Sequence, residues 1–256
     1  MTDQQYDFAP RRGAPDQWIA DTIDAIMEQA TLAEKVGMLS GRGFFQEFMA
    51  DDRLWGARPY RAGSGIERLG VPPLWFTDGP RGVARGQSTC FPCTMARGAT
   101  FDTELEMRIG EAMGKEIRAQ DCDLSGAVCI NILRHPAWGR AQETYGEDPH
   151  HLGAMGSALG LGIQTQNVIA TVKHFALNSM ENARFKVDVR VDERALHEIY
   201  LPHFKAALDA GVATVMSAYN KYDGEYCGQH HGLLTDILRG EWGFSGFVHS
   251  DWVMGL

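Results

Sequence analysis

The residues best suited to chemistry stand at the ends of short apolar runs. Near the C-terminus the segment FVHSDW closes on Ser250, Asp251 and Trp252. A carboxylate at the mouth of a buried strand, beside an indole, suits attack on the anomeric carbon of a sugar. The acid supplies the charge and the indole an apolar platform for a ring face. Asp251 is therefore the candidate nucleophile. An ordinary strand end with a solvated acid would leave the same triplet, so the reading depends on what accompanies it upstream. Asp78 follows an earlier run in FTDGPRGV. Asn131, Arg134, Arg140 and Glu143 follow the next, and Lys173 with His174 the one after. Ser217, Tyr219 and Asn220 end a further run. Singly, each polar group needs no role beyond neutralising a neighbour; together they supply acid, base and amide groups to one pocket if the fold gathers strand ends.

The elements that must do so can be read from periodicity. Apolar runs at 73–77, 127–133, 168–172, 212–217 and 246–250, with a weaker one at 91–99, alternate with helical patterns. Leu105, Ile109, Met113 and Ile117 recur at four-residue steps within 102–119, and a second helix is expected over 193–210. Such alternation predicts parallel strands joined by right-handed crossovers. No GxGxxG follows the first run, which leaves dinucleotide binding unsupported. A barrel brings all strand ends to one face, so the expected class is α/β, a (β/α)8 TIM-type barrel. A βα unit takes about 30 residues and a barrel about 250. The stretch after Gly70 is shorter, so the barrel is expected to be incomplete, its last strand missing. The predicted organisation is 1–70, N-terminal helices and an irregular loop, then 71–256, the incomplete barrel. Over 17–39 two helices are expected, broken at Thr31, whose hydroxyl caps the second while Glu34 completes a capping box. Residues 41–70 lose periodicity and read as a long irregular loop.

Composition narrows the partners. The chain has 256 residues, 44% of them hydrophobic, enough for a sizeable core, and a formal charge of -9. No basic stripe is present, which argues against a nucleic-acid partner. No apolar run approaches the roughly 20 residues of a membrane helix, and the opening lacks a signal-peptide pattern, so a cytoplasmic location is expected. Five cysteines, an odd number, fit reduced thiols. Cys90 and Cys93 form a CxxC without a second pair, and the pairs His150–His151 and His230–His231 lack zinc-motif spacing. Neither a metal nor an organic cofactor is expected.

Taken in order, FTDGPRGV, HPAWGRAQETYGEDP, KHFALNSMENAR, VMSAYN and FVHSDW resemble the motifs of the N-terminal catalytic domain of glycoside hydrolase family 3. That family includes β-glucosidases and β-xylosidases, and the likeness covers roughly residues 20 to 256. The resemblance implies a retaining, exo-acting hydrolase that removes a terminal β-linked sugar through a covalent glycosyl-aspartate, with no cofactor. Its ligand is then a small β-glycoside or oligosaccharide. By motif, Asp251 matches the nucleophile and Trp252 the aromatic beside the aglycone. Asp78, Arg140, Lys173, His174, Arg184 and Tyr219 match positions that bond the sugar or the nucleophile, and Met216 a pocket wall. In this reading Asp78 accepts from sugar hydroxyls while Arg140, Lys173 and His174 donate. The surrounding cations keep Asp251 ionised, Tyr219 donates to its oxygen, and Glu143 and Glu147 pair with arginines.

The departures are also informative. Arg134, His135 and Pro136 stand where RDP is usual, and Cys90 and Cys93 where other residues are. KHF continues as ALNSMENAR and no DSH triplet follows, which disfavours the N-acetylglucosaminidase branch. In the family the general acid/base comes from a second, C-terminal α/β domain with no counterpart here. A non-catalytic, vestigial glycan-binding fragment is the alternative.

Overall fold

The N-terminal helices form where the apolar spacing places them. The computed structural model describes residues 16–41, 60–84 and 86–252. Helix α1 spans Asp16–Gln29 and α2 spans Leu32–Met38. Thr31 separates them, and its hydroxyl accepts from the Glu34 backbone N–H while the Glu34 carboxylate accepts from the Thr31 N–H at 2.8 Å. That is the expected capping box, which satisfies two otherwise orphaned amides. Arg68 reinforces it through Nε and Nη2, each 2.8 Å from a Glu34 oxygen.

The loop expected at 41–70 needs correction in its described part. Tyr60–Gly63 is strand β1, paired antiparallel with β2, Leu74–Thr77, and Glu67–Leu69 is a 3-10 turn. Gly70 ends that turn at a φ of 75, in the left-handed region that suits glycine. The first apolar run is thus half of an antiparallel pair, and four residues were too few for alternation to show β1. The remainder of that loop, 42–59, lies outside the described residues.

The chain divides into two compact units, Met1–Phe76 and Thr77–Leu256, against the 1–70 and 71–256 division read from the sequence. In the second unit the run at 91–99, expected as a strand, is helical: α3 covers Thr94–Gly98. A short apolar run is ambiguous between strand and helix, and here Arg97 and Thr94 both reach back to the Pro80 carbonyl. Helix α4, Thr103–Ala119, is capped by Asp102, whose carboxylate accepts from the Leu105 N–H at 2.8 Å. Strand β3 is Leu124–Cys129. Helix α5, Pro149–Gln164, begins with proline at its first turn and Asp148 as cap. Strand β4, Ile169–Phe175, follows, then the two-residue β5, Asp188–Val189.

The helix expected over 193–210 is broken into three. Glu193–Ala195 (α6) widens into a π turn at Leu196–Tyr200, and Pro202–Asp209 (α7) restarts the helix. Pro202 explains the break, because it lacks an N–H and its ring crowds the preceding turn. Strand β6 is Thr214–Ser217. The short strands β7, Lys221–Tyr222, and β8, Glu225–Tyr226, form a hairpin beside β5. Its two-residue turn is Asp223–Gly224, with φ of 47 and 93, the positive pair an Asp-Gly hairpin favours. A second π-type helix, Gly232–Glu241, leads to β9, Phe247–His249.

Within this unit β3, β4, β6 and β9 lie side by side, all parallel and in chain order, and curl as part of a barrel wall. In register, Cys129 faces Lys173, Phe175 faces Ser217, and Met216 faces His249. The core joins Val128, Val172 and Val215 of the sheet to Ile109, Met113 and Ile117 of α4 and Leu152, Met155, Leu159 and Ile163 of α5. Helices α4 and α5 approach until backbones touch: a Cβ added at Gly110 would lie 2.5 Å from the Leu159 carbonyl oxygen.

Candidate active site

Parallel pairing sends every strand in one direction, so residues at or just past the C-terminal ends of β4, β6 and β9 share one end of the sheet. Lys173 and His174 are in the last residues of β4, Tyr219 is two residues past β6, and Asp251 two past β9. Asp78 follows β2 at the start of the second unit. Hydrogen bonds and charge coupling gather Asp78, Arg140, Lys173, His174, Arg184, Tyr219 and Asp251 into one cluster.

Lys173 is buried and extends Nζ to Asp78 Oδ1 at 2.5 Å. A buried ammonium requires such a partner. Burial alone would raise the Asp78 pKa, but the Lys173 charge and hydrogen bond, with Arg140 and the Gly79 N–H, hold it below the usual range. Asp78 is therefore ionised at neutral pH. Its side chain is 43% exposed, which leaves it open to a ligand. The Lys173 ammonium, expected to donate to sugar, is engaged by Asp78.

Arg140 is similarly committed. Its Nε and Nη2 donate to the two oxygens of Glu143 at 3.0 and 2.6 Å, the arginine partnership expected for that glutamate. Arg140 Nη1 lies 2.9 Å from His174 Nε2. His174 is buried, and burial first, then the Arg140, Lys173 and Arg184 charges, push its pKa well below the ordinary value. The imidazole is neutral at physiological pH. Both of its nitrogens have protein partners, Asn131 Oδ1 at 3.0 Å on Nδ1 and Arg140 on Nε2. Both edges of the ring thus lie against protein groups, where the sequence reading has His174 donate to a sugar.

Asp251 lies 13% exposed in its side chain, with Oδ2 at 3.7 Å from His174 Nε2. That oxygen is buried without a hydrogen-bond partner among the described residues. The cations were expected to keep this acid ionised; burial outweighs Lys173, Arg140 and Arg184 and lifts its pKa to about 6, still below neutral pH. Tyr219 was expected to donate to Asp251, yet its hydroxyl donates to the Trp252 carbonyl at 2.6 Å and so aims the turn that carries the acid. Burial, then the Asp251 charge, raises the Tyr219 pKa, so the phenol stays protonated. Arg184 pairs with Glu181 at 2.7 Å and stacks on the Tyr219 ring at 4.9 Å and the Phe185 ring at 5.0 Å. Met216 is buried in β6, and Trp252 half-buried beside His249, their rings 6.3 Å apart.

Three contributors were not given roles from the sequence. Asn131 brackets the His174 peptide with its carboxamide. Glu181 accepts from both Arg184 and Trp138 Nε1. His249 lies 3.2 Å from Thr171, which meets Thr214 at 2.7 Å, and burial pushes its pKa down to about 4. The available signal for His249 was its place in the last apolar run, two residues before Asp251. Among the described residues no cluster of histidine, cysteine, aspartate or glutamate fits a metal ion, and the five cysteines are free. No helix among them is long and apolar enough to cross a membrane.

A parallel β/α wall with a buried carboxylate amid lysine, arginine and histidine near its strand ends is in keeping with part of an α/β barrel domain, a class whose ligand sites lie at that end of the strands. The Glycosyl hydrolase family 3 N terminal domain matches residues 56–256, and the chain belongs to that family. It is 42% identical over 238 residues to a beta-glucosidase of Rhizobium radiobacter, covering 90% of this chain and 27% of that protein. It is 38% identical over 248 residues to thermostable beta-glucosidase B of Acetivibrio thermocellus, covering 91% of this chain and 31% of the relative. Among solved structures, beta-glucosidase 3B of Thermotoga neapolitana in complex with glucose superposes with a TM-score of 0.84 at 40% identity. That match covers 90% of this chain and 34% of the other. The chain thus spans about a third or less of the length of these proteins.

Proposed function

We propose that the chain is the nucleophile-bearing part of a retaining, exo-acting β-glycosidase of the β-glucosidase or β-xylosidase type. One observation carries the reading: Asp251 Oδ2 is buried and has no hydrogen-bond partner among the described residues, 3.7 Å from an imidazole that burial keeps neutral, inside a ring of cations. A carboxylate deprived of water and hydrogen bonds is a stronger nucleophile than a solvated one. The names of the similar proteins support a β-glucoside as ligand. The curled parallel sheet is in keeping with part of a (β/α)8 barrel.

In the proposed reaction Asp251 attacks the anomeric carbon as the glycosidic bond breaks, forming a glycosyl-aspartate. Lys173, Arg140 and Arg184 offset the negative charge at the sugar-facing end, and Asp78 accepts from a sugar hydroxyl. The leaving oxygen takes a proton from a group outside this set, which the family resemblance assigns to a second domain. Water then displaces Asp251, inverting the centre a second time, so the product retains the β configuration.

The test is covalent trapping. A 2-fluoro sugar with a dinitrophenyl leaving group needs no general acid, and peptide mass spectrometry should find the sugar on Asp251. A label on Glu143, or none in wild type under conditions that label a full-length family member, refutes the proposal.

A further inference from the structure

His174 is held by polar atoms whose identities decide where its proton sits. The Asn131 carboxamide spans the His174 peptide: Nδ2 donates to the His174 carbonyl at 2.8 Å and Oδ1 accepts from its backbone N–H at 2.7 Å. A peptide N–H only donates and a carbonyl only accepts, so the carboxamide has one workable orientation. Its oxygen is therefore the atom 3.0 Å from Nδ1, and Nδ1 must carry a proton to bond it. At the other edge of the ring Nε2 lies 2.9 Å from Arg140 Nη1. A guanidinium has no acceptor, so Nε2 is unprotonated and receives the bond. The two contacts call for the same neutral tautomer, and the lock needs both. Glu143 steadies the second by holding Arg140 at both Nε and Nη2.

Asp251 Oδ2 is 3.7 Å from that same Nε2. Were Nε2 protonated, the imidazolium would pair with the carboxylate, and attack on a sugar would have to break that pair. We propose that Asn131 is a positioning residue: together with Arg140 it locks His174 as the neutral Nδ1–H tautomer, so that Nε2 offers no proton to pair with the Asp251 carboxylate. This rests on Asp251 being the nucleophile. Burial of the ring acts in the same direction, since it disfavours the imidazolium.

The tautomer can be read without turnover, from the imidazole nitrogens of the histidine-15N-labelled chain, with His174 assigned by ring-to-backbone correlations. The expected spectrum shows a protonated-type Nδ1 and an unprotonated-type Nε2, unchanged between about pH 5 and 8, where a free histidine titrates. Asn131→Asp keeps an acceptor at Nδ1 and should retain the pattern. Asn131→Leu removes it and should lose the pattern to a mixture containing the Nε2–H form. A wild-type Nε2–H or imidazolium signal at neutral pH overturns the lock. So does Asn131→Leu with an unaltered spectrum, or Asn131→Asp without the pattern; if the leucine variant fails to fold, the other two spectra decide. A trapped sugar that misses Asp251 would refute the glycosidase reading while leaving the measured tautomer in place. The wrong tautomer with the label on Asp251 would refute the lock alone.

Discussion

Replacing Asp251 by asparagine should make the folded chain more stable at neutral pH while removing the nucleophile. Burial raises the Asp251 pKa from 3.8 to about 6 against three nearby cations. Each unit corresponds to about 1.4 kcal/mol between the protonation states, so ionising this acid in the fold costs roughly 3 kcal/mol. Below about pH 3.8 the acid is neutral in folded and unfolded chains alike, and wild type and Asp251→Asn should match. Between there and about 6 the unfolded chain has released a proton that the folded chain retains, so wild-type stability falls as pH rises. Above about 6 the whole cost is present and the variant, which never ionises, should lead by roughly 3 kcal/mol. For a chain of this size that is about 6–12 °C in melting temperature. Urea unfolding of both proteins at pH 8, 6.5, 5 and 4 measures it, with the difference shrinking toward acid. A variant equal to or weaker than wild type at pH 8 would show that Lys173, Arg140 and Arg184 fully offset the desolvation. The account of an energetically exposed nucleophile would then be wrong.

Three further outcomes are expected. The trapping rate with the activated fluoro sugar should fall tenfold per pH unit below about 6, because only ionised Asp251 attacks. His174 and His249 stay neutral through that window, so a limb near their depressed values would reassign the titration. Lys173→Met should weaken sugar binding and trapping together, by roughly ten- to a hundredfold, since it strips Asp78 of a charged hydrogen bond in ground and transition states alike. A calorimetric titration with glucose that left affinity unchanged would refute that. Gly110→Ala should destabilise by about 1–3 kcal/mol in urea melts, because its methyl meets the α5 backbone rather than a movable side chain.

How much of this could be read beforehand depended on where the signal resided. Strands β3, β4, β6 and β9 announced themselves as apolar runs bounded by polar residues, and α4 by Leu105, Ile109, Met113 and Ile117, because burial on one side imposes period and composition. The break at Pro202 had a local signature, which the longer helical pattern of 193–210 masked, and the Asp223–Gly224 hairpin had one in its turn residues. The run at 91–99 had no decisive signature, since its state is set by contacts with Pro80 that no local spacing encodes. The types and positions of the site residues were legible, but their pairing was not. That Lys173 meets Asp78, that Tyr219 reaches Trp252 rather than Asp251, and that Arg140 takes the free edge of His174 are facts of distance. The upward shift of the Asp251 pKa was not legible for the same reason: cations can be counted in a sequence, while the loss of water around an acid cannot.

The order of the parallel sheet has a consequence for how cohesion is distributed. Because β3, β4, β6 and β9 pair in chain order, each β/α unit leans mainly on the unit before and after it, as in a stack of repeats. Strand β4 is gripped on both edges, by β3 and β6, whereas β9 pairs only with β6 among the described residues. Amide exchange should therefore be slow in β4, where Lys173 and His174 are anchored, and in β6, which is likewise paired on both edges, by β4 and β9. Lys173 and His174 thus stand on a strand whose position two neighbours fix at once, so the groups that meet Asp78 and Arg140 should hold their places through local openings elsewhere in the sheet.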